Sequence, residues 1–422
     1  MIMRFSGMKL NKPAYILIIL LCIAEMLVEM TCVTYPEFQD TWSYYGAIDC
    51  ILKGSINDFR TPVYPIFLAL CHFPFREMEM SWIVIAVVQW AIFMVSVIAF
   101  GQLCKRIVGN NVVSLWLTVF YALWPGITLS NNVILTESLA VSGVTFFMYC
   151  MVKAFQDNSV KYMLASVLLV LTLIFLRPIF VYLILAVVLF ALCIMFINHT
   201  KYRRLAWCAI AGGIICTGFV TLYMAEMKHR YNVFSISTVT THNNFFFIAE
   251  MTPPDSEYAG NDSLRIELKE FMESKETDFG KIWGRLYDML DKYGDARMGQ
   301  EVNALISDRR SEMAELIMRR FVDAADYPIF FNMEIGILDK FTPRIWIIYV
   351  LFFVSSILIL YGLVKKRIEI PKVFICWLVF SGGVLTGIAG GQDGWDRLLL
   401  PAMSAMLILG GYIISSVQMF KR

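Results

Sequence analysis

The stretch YPEFQDTWSYYGAIDCILKGSINDFRTPVYPIF, residues 35–67, decides how the chain is read. It lies between two long apolar segments, yet it carries Glu37, Asp40, Asp49, Asp58 and Arg60 together with Phe38, Trp42, Tyr44 and Tyr45. Pro62 and Pro65 follow Arg60 and restrict the chain through two fixed φ angles. A connector between membrane helices needs neither charge nor aromatic rings, so this one reads as a working surface.

Around it the chain is a membrane protein by composition. Of 422 residues 58% are hydrophobic and only 17% charged, against about 25% charged in soluble domains. Mean hydropathy is +0.64. The net charge of +2 gives no reason to expect a nucleic-acid partner. The ten cysteines are scattered with no Cys-x-x-Cys, so most read as small buried hydrophobes. Cys50 and Cys71 fall in one external loop and are a candidate pair.

A bilayer core of about 30 Å takes roughly 20 apolar residues per helix. Ten candidates follow: 13–33, 81–100, 112–129, 134–152, 162–176, 178–197, 205–225, 345–364, 371–389 and 397–418. The first is too long in its apolar part for a cleaved signal peptide, and no small-x-small site follows it. Arg177-Pro178 splits the fifth from the sixth, because proline disrupts a helix there. Lys9 and Lys12, Lys105-Arg106, Lys153 and Lys161, Arg203-Arg204, Lys365-Lys366-Arg367 and Lys421-Arg422 all reach one face if there are ten spans. By the positive-inside rule that face is cytoplasmic and holds both termini. The expected location is the inner (plasma) membrane, multi-pass, with membrane lipids as neighbours.

The opposite face then holds the quoted loop (34–80), the Arg177-Pro178 corner, the segment 226–344 and AGGQDGWDR. The segment 226–344 contains 21 of the 34 acidic residues, which sets it apart as an external domain. Its runs 261–276, 278–294 and 300–324 repeat apolar residues at helical spacing. In the last run these are Val302, Leu305, Ile306, Met313, Leu316, Ile317 and Phe321. The expected organisation is an N-terminal membrane module (1–225), the external helical domain (226–344) and C-terminal membrane helices (345–422).

A carboxylate at a membrane surface is ordinarily solvated, but Asp40 sits among aromatic faces of the kind that stack on sugars or pack at the interface. The order Asp40, YYGAIDCILKG (44–54) and RTPVYPIFLAL (60–70) resembles the first external loop of bacterial GT-C glycosyltransferases. These are the family-39 and RgtA/B/C/D-like relatives of the protein O-mannosyltransferases and the lipid A aminoarabinose transferase. ILTESLA (134–140) is similar to that group's second acidic motif. WDRLLLPAMSAMLIL (395–409) is similar to the start of its late membrane helices, with Leu398 where an aromatic is usual. MAELIMRRFVDAADYPIFF (313–331) is faintly similar to its helical segment before a later span.

The resemblance implies an all-α polytopic membrane fold of GT-C type. It also implies transfer of a sugar from a polyprenyl-phosphate-linked donor to a lipid, glycan or protein acceptor on the external face. Acceptor attack needs a base, and a placed carboxylate supplies one. Phosphate departs as a stable anion and needs no general acid, unlike the leaving group of a glycosidase. Asp40 is then the candidate base and Glu137 the supporting acid, orienting the acceptor or a cation; a carboxylate satisfied at a helix start is the plainer account of Glu137. Arg177 and Arg397 are candidate phosphate ligands through their planar forks, with interfacial anchoring as the other account of Arg397. Tyr44 and Tyr45 are candidate sugar contacts, and Arg60 either contacts substrate or braces the loop. Glu25 and Glu29 share one helix face and line the pocket or pair with arginine. Lys340 and Arg344 read as anchors, and His229 and His242 lack metal-ligand spacing. No cofactor is fixed, and a divalent metal stays open. Two other functions stay open as well: an O-antigen ligase or polymerase-like enzyme, and a polytopic transporter.

Overall fold

The computed structural model describes residues 12–32, 39–72, 78–327, 344–390 and 395–420. The N-terminal half runs α1 (Lys12–Cys32), α2 (Gln39–Leu52), α3 (Val63–His72), α4 (Met78–Val108), α5 (Asn111–Ala122), α6 (Pro125–Ser130), α7 (Glu137–Asp157), α8 (Val160–Leu176) and α9 (Tyr182–Tyr231). Next come α10 (Val239–Glu250), α11 (Ser256–Ala259), α12 (Ser263–Ser274), α13 (Phe279–Tyr293), α14 (Asp295–Asp308) and α15 (Arg310–Asp323). The chain continues with α16 (Trp346–Val364), α17 (Ile370–Gly390), α18 (Trp395–Leu399) and α19 (Met403–Phe420). Among the described residues there is no β-strand. The protein is an all-α polytopic membrane protein.

Among the described residues seven helices are long and apolar enough to cross a membrane, and α3, α5 and α8 are shorter apolar helices. The stretch Pro178–Tyr231 enters that count once, yet it breaks at Asn198, whose φ/ψ of −158°/87° is not helical. The expected spans 178–197 and 205–225 fall on its two arms. The expected third span stops short: α5 covers only Asn111–Ala122, and α6 restarts the helix at Pro125, where proline's missing N–H costs nothing. Among the described residues, length and composition alone therefore do not reach ten spans.

Helix α7 is the axis of the bundle, packed between α4, α8 and α17. Thirteen of its 21 residues are buried, Glu137 at its first position among them. Helix α1 buries only Ile18 and Cys22 and is peripheral. Lipid is as apolar as leucine, so packing and close approach hold such helices together. At Gly382 of α17 an added Cβ would collide with the ring of Tyr182.

The segment 34–80 is largely helical: α2 and α3 occupy most of it. A second core lies in the inserted segment, built from Phe245, Leu264, Leu268, Phe271, Leu286, Met289, Met298 and Val302. The run expected at 300–324 is two helices, broken at Arg309 (φ −122°, ψ 43°). Val302 and Leu305 of α14 face the domain's core. Helix α15 instead packs on the membrane helix α17.

Candidate active site

Two threonines fix where the first loop meets the bundle. Thr41, next to Asp40, donates to the carbonyl of Ile134 (3.1 Å), three residues before Glu137. Thr61, next to Arg60, donates to the carbonyl of Leu176 (3.2 Å), the residue before Arg177. Both threonines are buried, so each bond is costly to leave unmade. Between them Asn57 turns the chain, its Oδ1 accepting from the N–H groups of Phe59 (3.0 Å) and Arg60 (2.6 Å). Arg177 is extended at φ −148°, ψ 121°, as the residue before a proline tends to be.

The result is one alternating row of charges. Arg60 Nη2 lies 2.6 Å from Asp40 Oδ1, and Arg397 Nη2 lies 3.0 Å from Asp40 Oδ2. Arg397 Nε also pairs with Glu137 Oε1, and Arg177 Nη1 reaches the same oxygen at 3.1 Å. Three guanidinium groups thus share two carboxylates, leaving the row one positive charge in excess. Glu137 is 0% exposed and Asp40 36%, so Asp40 is the carboxylate that an incoming molecule meets. Burial pushes the Asp40 carboxyl up, but the charges and hydrogen bonds of Arg60 and Arg397 outweigh it and hold the group below its ordinary value.

Five residues singled out from sequence, Asp40, Arg60, Glu137, Arg177 and Arg397, therefore meet. Arg60 is a brace, because Nε donates to Ser43 Oγ (2.7 Å), Nη1 to Tyr44 Oη (3.3 Å) and Nη2 to Asp40. Tyr44 is buried beneath that guanidinium, 4.3 Å from its ring centroid, and against Tyr64. Its ring lies beneath Arg60 and is 5% exposed. Tyr45 is half-buried beside Trp42, which is 56% exposed.

Other candidates lie apart. Glu29 accepts from Thr128 (2.8 Å) and Asn132 (2.5 Å), so it ties α1 to the turn before α7 and not to an arginine. Glu25 faces the same turn at Thr128, its Oε2 buried without a hydrogen bond among the described residues. Cys50 and Cys71 are both unbonded thiols. His229 is exposed at the end of α9, and Arg344 donates to the carbonyl of Asp326 (3.1 Å). Lys340, Asp393 and Phe38, and the side chain of Asp396, lie outside the described residues. Among the described residues no group of three His, Cys, Asp or Glu is placed to hold a metal ion. Asp40 and Glu137 direct their oxygens at guanidinium groups.

Arg320 was missed. It is 4% exposed, pairs with Glu250 (2.7 Å), reaches the carbonyl of Ala389 (3.4 Å) and lies 3.8 Å from the centroid of Phe247. It joins α15 to α10 and α17. The available signal was its place four residues after Leu316, on an otherwise apolar stripe.

No family model matches the chain, and no curated protein does. Solved structures do. An archaeal oligosaccharyltransferase, AglB from Archaeoglobus fulgidus, in complex with an inhibitory peptide and a dolichol-phosphate, aligns over 96% of this chain and 51% of its own at 10% identity, TM-score 0.50. The Archaeoglobus fulgidus oligosaccharyltransferase in complex with Zn and sulfate aligns over 96% and 49% at 11% identity, TM-score 0.50. The chain spans about half the length of these structures. At such identity the likeness is one of fold, and the fold is of the GT-C type.

Proposed function

We propose that the protein is a membrane glycosyltransferase that moves a sugar from a polyprenyl-phosphate-linked donor to a hydroxyl on the external face. The acceptor is a lipid, glycan or protein. The row Arg60–Asp40–Arg397–Glu137–Arg177 carries this reading: an accessible carboxylate stands beside a positively charged cradle at one end of the bundle. A neighbour of the same fold that binds a dolichol-phosphate supports the class of donor.

In this account the donor phosphate lies against Arg397 and Arg177, whose forks suit its oxygens. It competes with Asp40 for Arg397, so donor binding frees one oxygen of Asp40 and raises its basicity. The acceptor hydroxyl then gives its proton to Asp40 while its oxygen bonds to the anomeric carbon. The bond from that carbon to the phosphate oxygen breaks, and both electrons leave with the polyprenyl phosphate. The arginines stabilise the charge as it forms. Glu137, fully buried, touches no substrate and is a positioning residue that sets Arg177 and Arg397 in place.

The test is consumption of a panel of polyprenyl-phosphate sugars by the purified protein in nanodiscs, read as released lipid phosphate. Consumption of none of them overturns the proposal. The face is tested by thiol labelling of intact cells. Cysteine at Lys53 or Glu273 reacts from outside and cysteine at Asp157 or Lys365 does not; the reverse pattern removes the external site.

A further inference from the structure

We infer that a second cavity, beside the charged row, is the acceptor subsite and that it takes a protonated primary amine of the acceptor. The assignment as an acceptor subsite rests on the function proposed above. The cavity is about 500 Å³ and lies between α13 and the corner of the first loop just before Arg60. Asp58, Asp288, Asp291 and Asp295 line it, and none of its lining residues is Lys or Arg.

An acidic cluster is usually a solvated surface, but this one has a buried wall. His242 lines the cavity at 5% exposure, and its Nδ1 finds no hydrogen-bond partner among the described residues. Its Nε2 stands 3.6 Å from Asp295 Oδ1, an oxygen that is also buried without a hydrogen bond. A buried polar pair left in that state is costly, and an N–H donor seated in the cavity would remedy it. The aromatic lining, Phe59 and Tyr287, suits the same ligand, and Tyr287 is backed by Trp283, on which it stacks. Ring faces together with carboxylates hold ammonium groups.

The cavity is joined to the charged row by one side chain. The Phe59 ring lies 4.9 Å from that of His242 and 4.6 Å from the Arg60 guanidinium carbon, between centroids and carbon. Hydrogen bonds from Thr238 to the carbonyl of Asp58 (2.9 Å) and from Ser237 to that of Phe59 (2.5 Å) fix the inserted domain onto this corner. An acceptor whose amine sits among the aspartates therefore lies against the Phe59–Arg60 corner, and Arg60 is paired with Asp40.

The experiment is calorimetric titration of the full-length protein in nanodiscs near 0.15 M salt, where loose surface attraction is screened. The probes are trilysine amide and the deacetylated glucosamine trimer, each against its N-acetylated form. Saturable binding of either free amine, lost on acetylation and weakened roughly tenfold in Asp288→Asn/Asp291→Asn, supports the inference and tells peptide from glycan. Both aspartates are exposed, so the variant keeps its fold. Absence of binding, equal binding of acetylated probes, or full affinity in the variant overturns it. No donor is present, so a failure here is separable from failure of the donor-consumption assay.

Discussion

Ion pairs of similar length do different work at the rim of the bundle and on the inserted domain. On the domain, Arg265 meets Glu301 through two bonds (3.0 and 3.1 Å), and Arg297 meets Asp262 (2.9 Å), with both arginines more than 40% exposed. Such pairs contribute about 0–1 kcal/mol, because water competes for every partner. At the rim, Arg177 and Arg397 share one oxygen of a Glu137 that water does not reach. There each charge depends on the next, and removing one leaves others buried without compensation. The difference is depth and sharing, not distance. It separates a buried, shared set of charges from pairs that water reaches one by one.

The largest effect falls on Glu137. Glu137→Ala removes the carboxylate common to two arginines and costs about 3–5 kcal/mol, read as a lower thermal unfolding temperature in detergent together with loss of transfer. Unchanged unfolding would show that the rim pairs are as weak as those of the domain. Arg397→Ala keeps Glu137 paired with Arg177 but removes the bridge to Asp40. Donor affinity should weaken and turnover fall by about 10²–10³-fold, and Arg397→Lys should not restore it, because a point charge cannot bridge two carboxylates. Full rescue by lysine would reject the bridging role.

The pH profile sharpens the comparison further. The folded pKa of Asp40 lies below its ordinary value of about 3.9. A depressed carboxyl contributes stability above its unfolded pKa and loses it as pH falls through the folded one. The bridge is therefore whole above about pH 5, and kcat/KM shows no acid limb from Asp40 there. Once donor draws Arg397 away, the acid limb of kcat lies at higher pH than that of kcat/KM. Coincident limbs would rule out the release of Asp40 by donor.

Smaller effects follow. Thr61→Val loses one buried hydrogen bond, about 0.5–1.5 kcal/mol, and lowers turnover more than donor affinity, because it loosens the corner carrying Arg60. Equal transfer by Thr61→Val and wild type would count against that anchor. Glu301→Gln should cost less than about 1 kcal/mol and leave transfer unaltered; a larger loss would mean that the domain's surface pairs are coupled after all.

Much of this was legible in sequence. Apolar runs located the long helices, Arg177 and Arg397 stood out because charge at an apolar boundary is expensive, and Asp40 and Glu137 stood out through their motifs and, for Asp40, the aromatic residues around it. What was not legible depended on three-dimensional proximity. Nothing in the spacing of Thr41 and Thr61 says that they bond to Ile134 and Leu176, about a hundred residues away. Tyr44 and Tyr45 are neighbours of the same type, and only packing decides that one lies beneath Arg60. The run 300–324 kept its helical period across the break at Arg309, since periodicity records side-chain faces and not backbone continuity. Arg320 fell on an apolar stripe and was read as part of an ordinary amphipathic helix; its partner Glu250 belongs to α10, and no local pattern links the two.

The most direct measurement is transfer by Asp40→Asn, with donor binding followed in the same preparation. Asparagine keeps the shape of the side chain but cannot accept the acceptor's proton, and general base assistance is worth about 10²–10⁴-fold. Turnover should fall by that factor. Donor affinity should hold or tighten, because Arg397 no longer has Asp40 to leave, while Asp49→Asn remains near wild type. Near-normal transfer by Asp40→Asn would contradict the account.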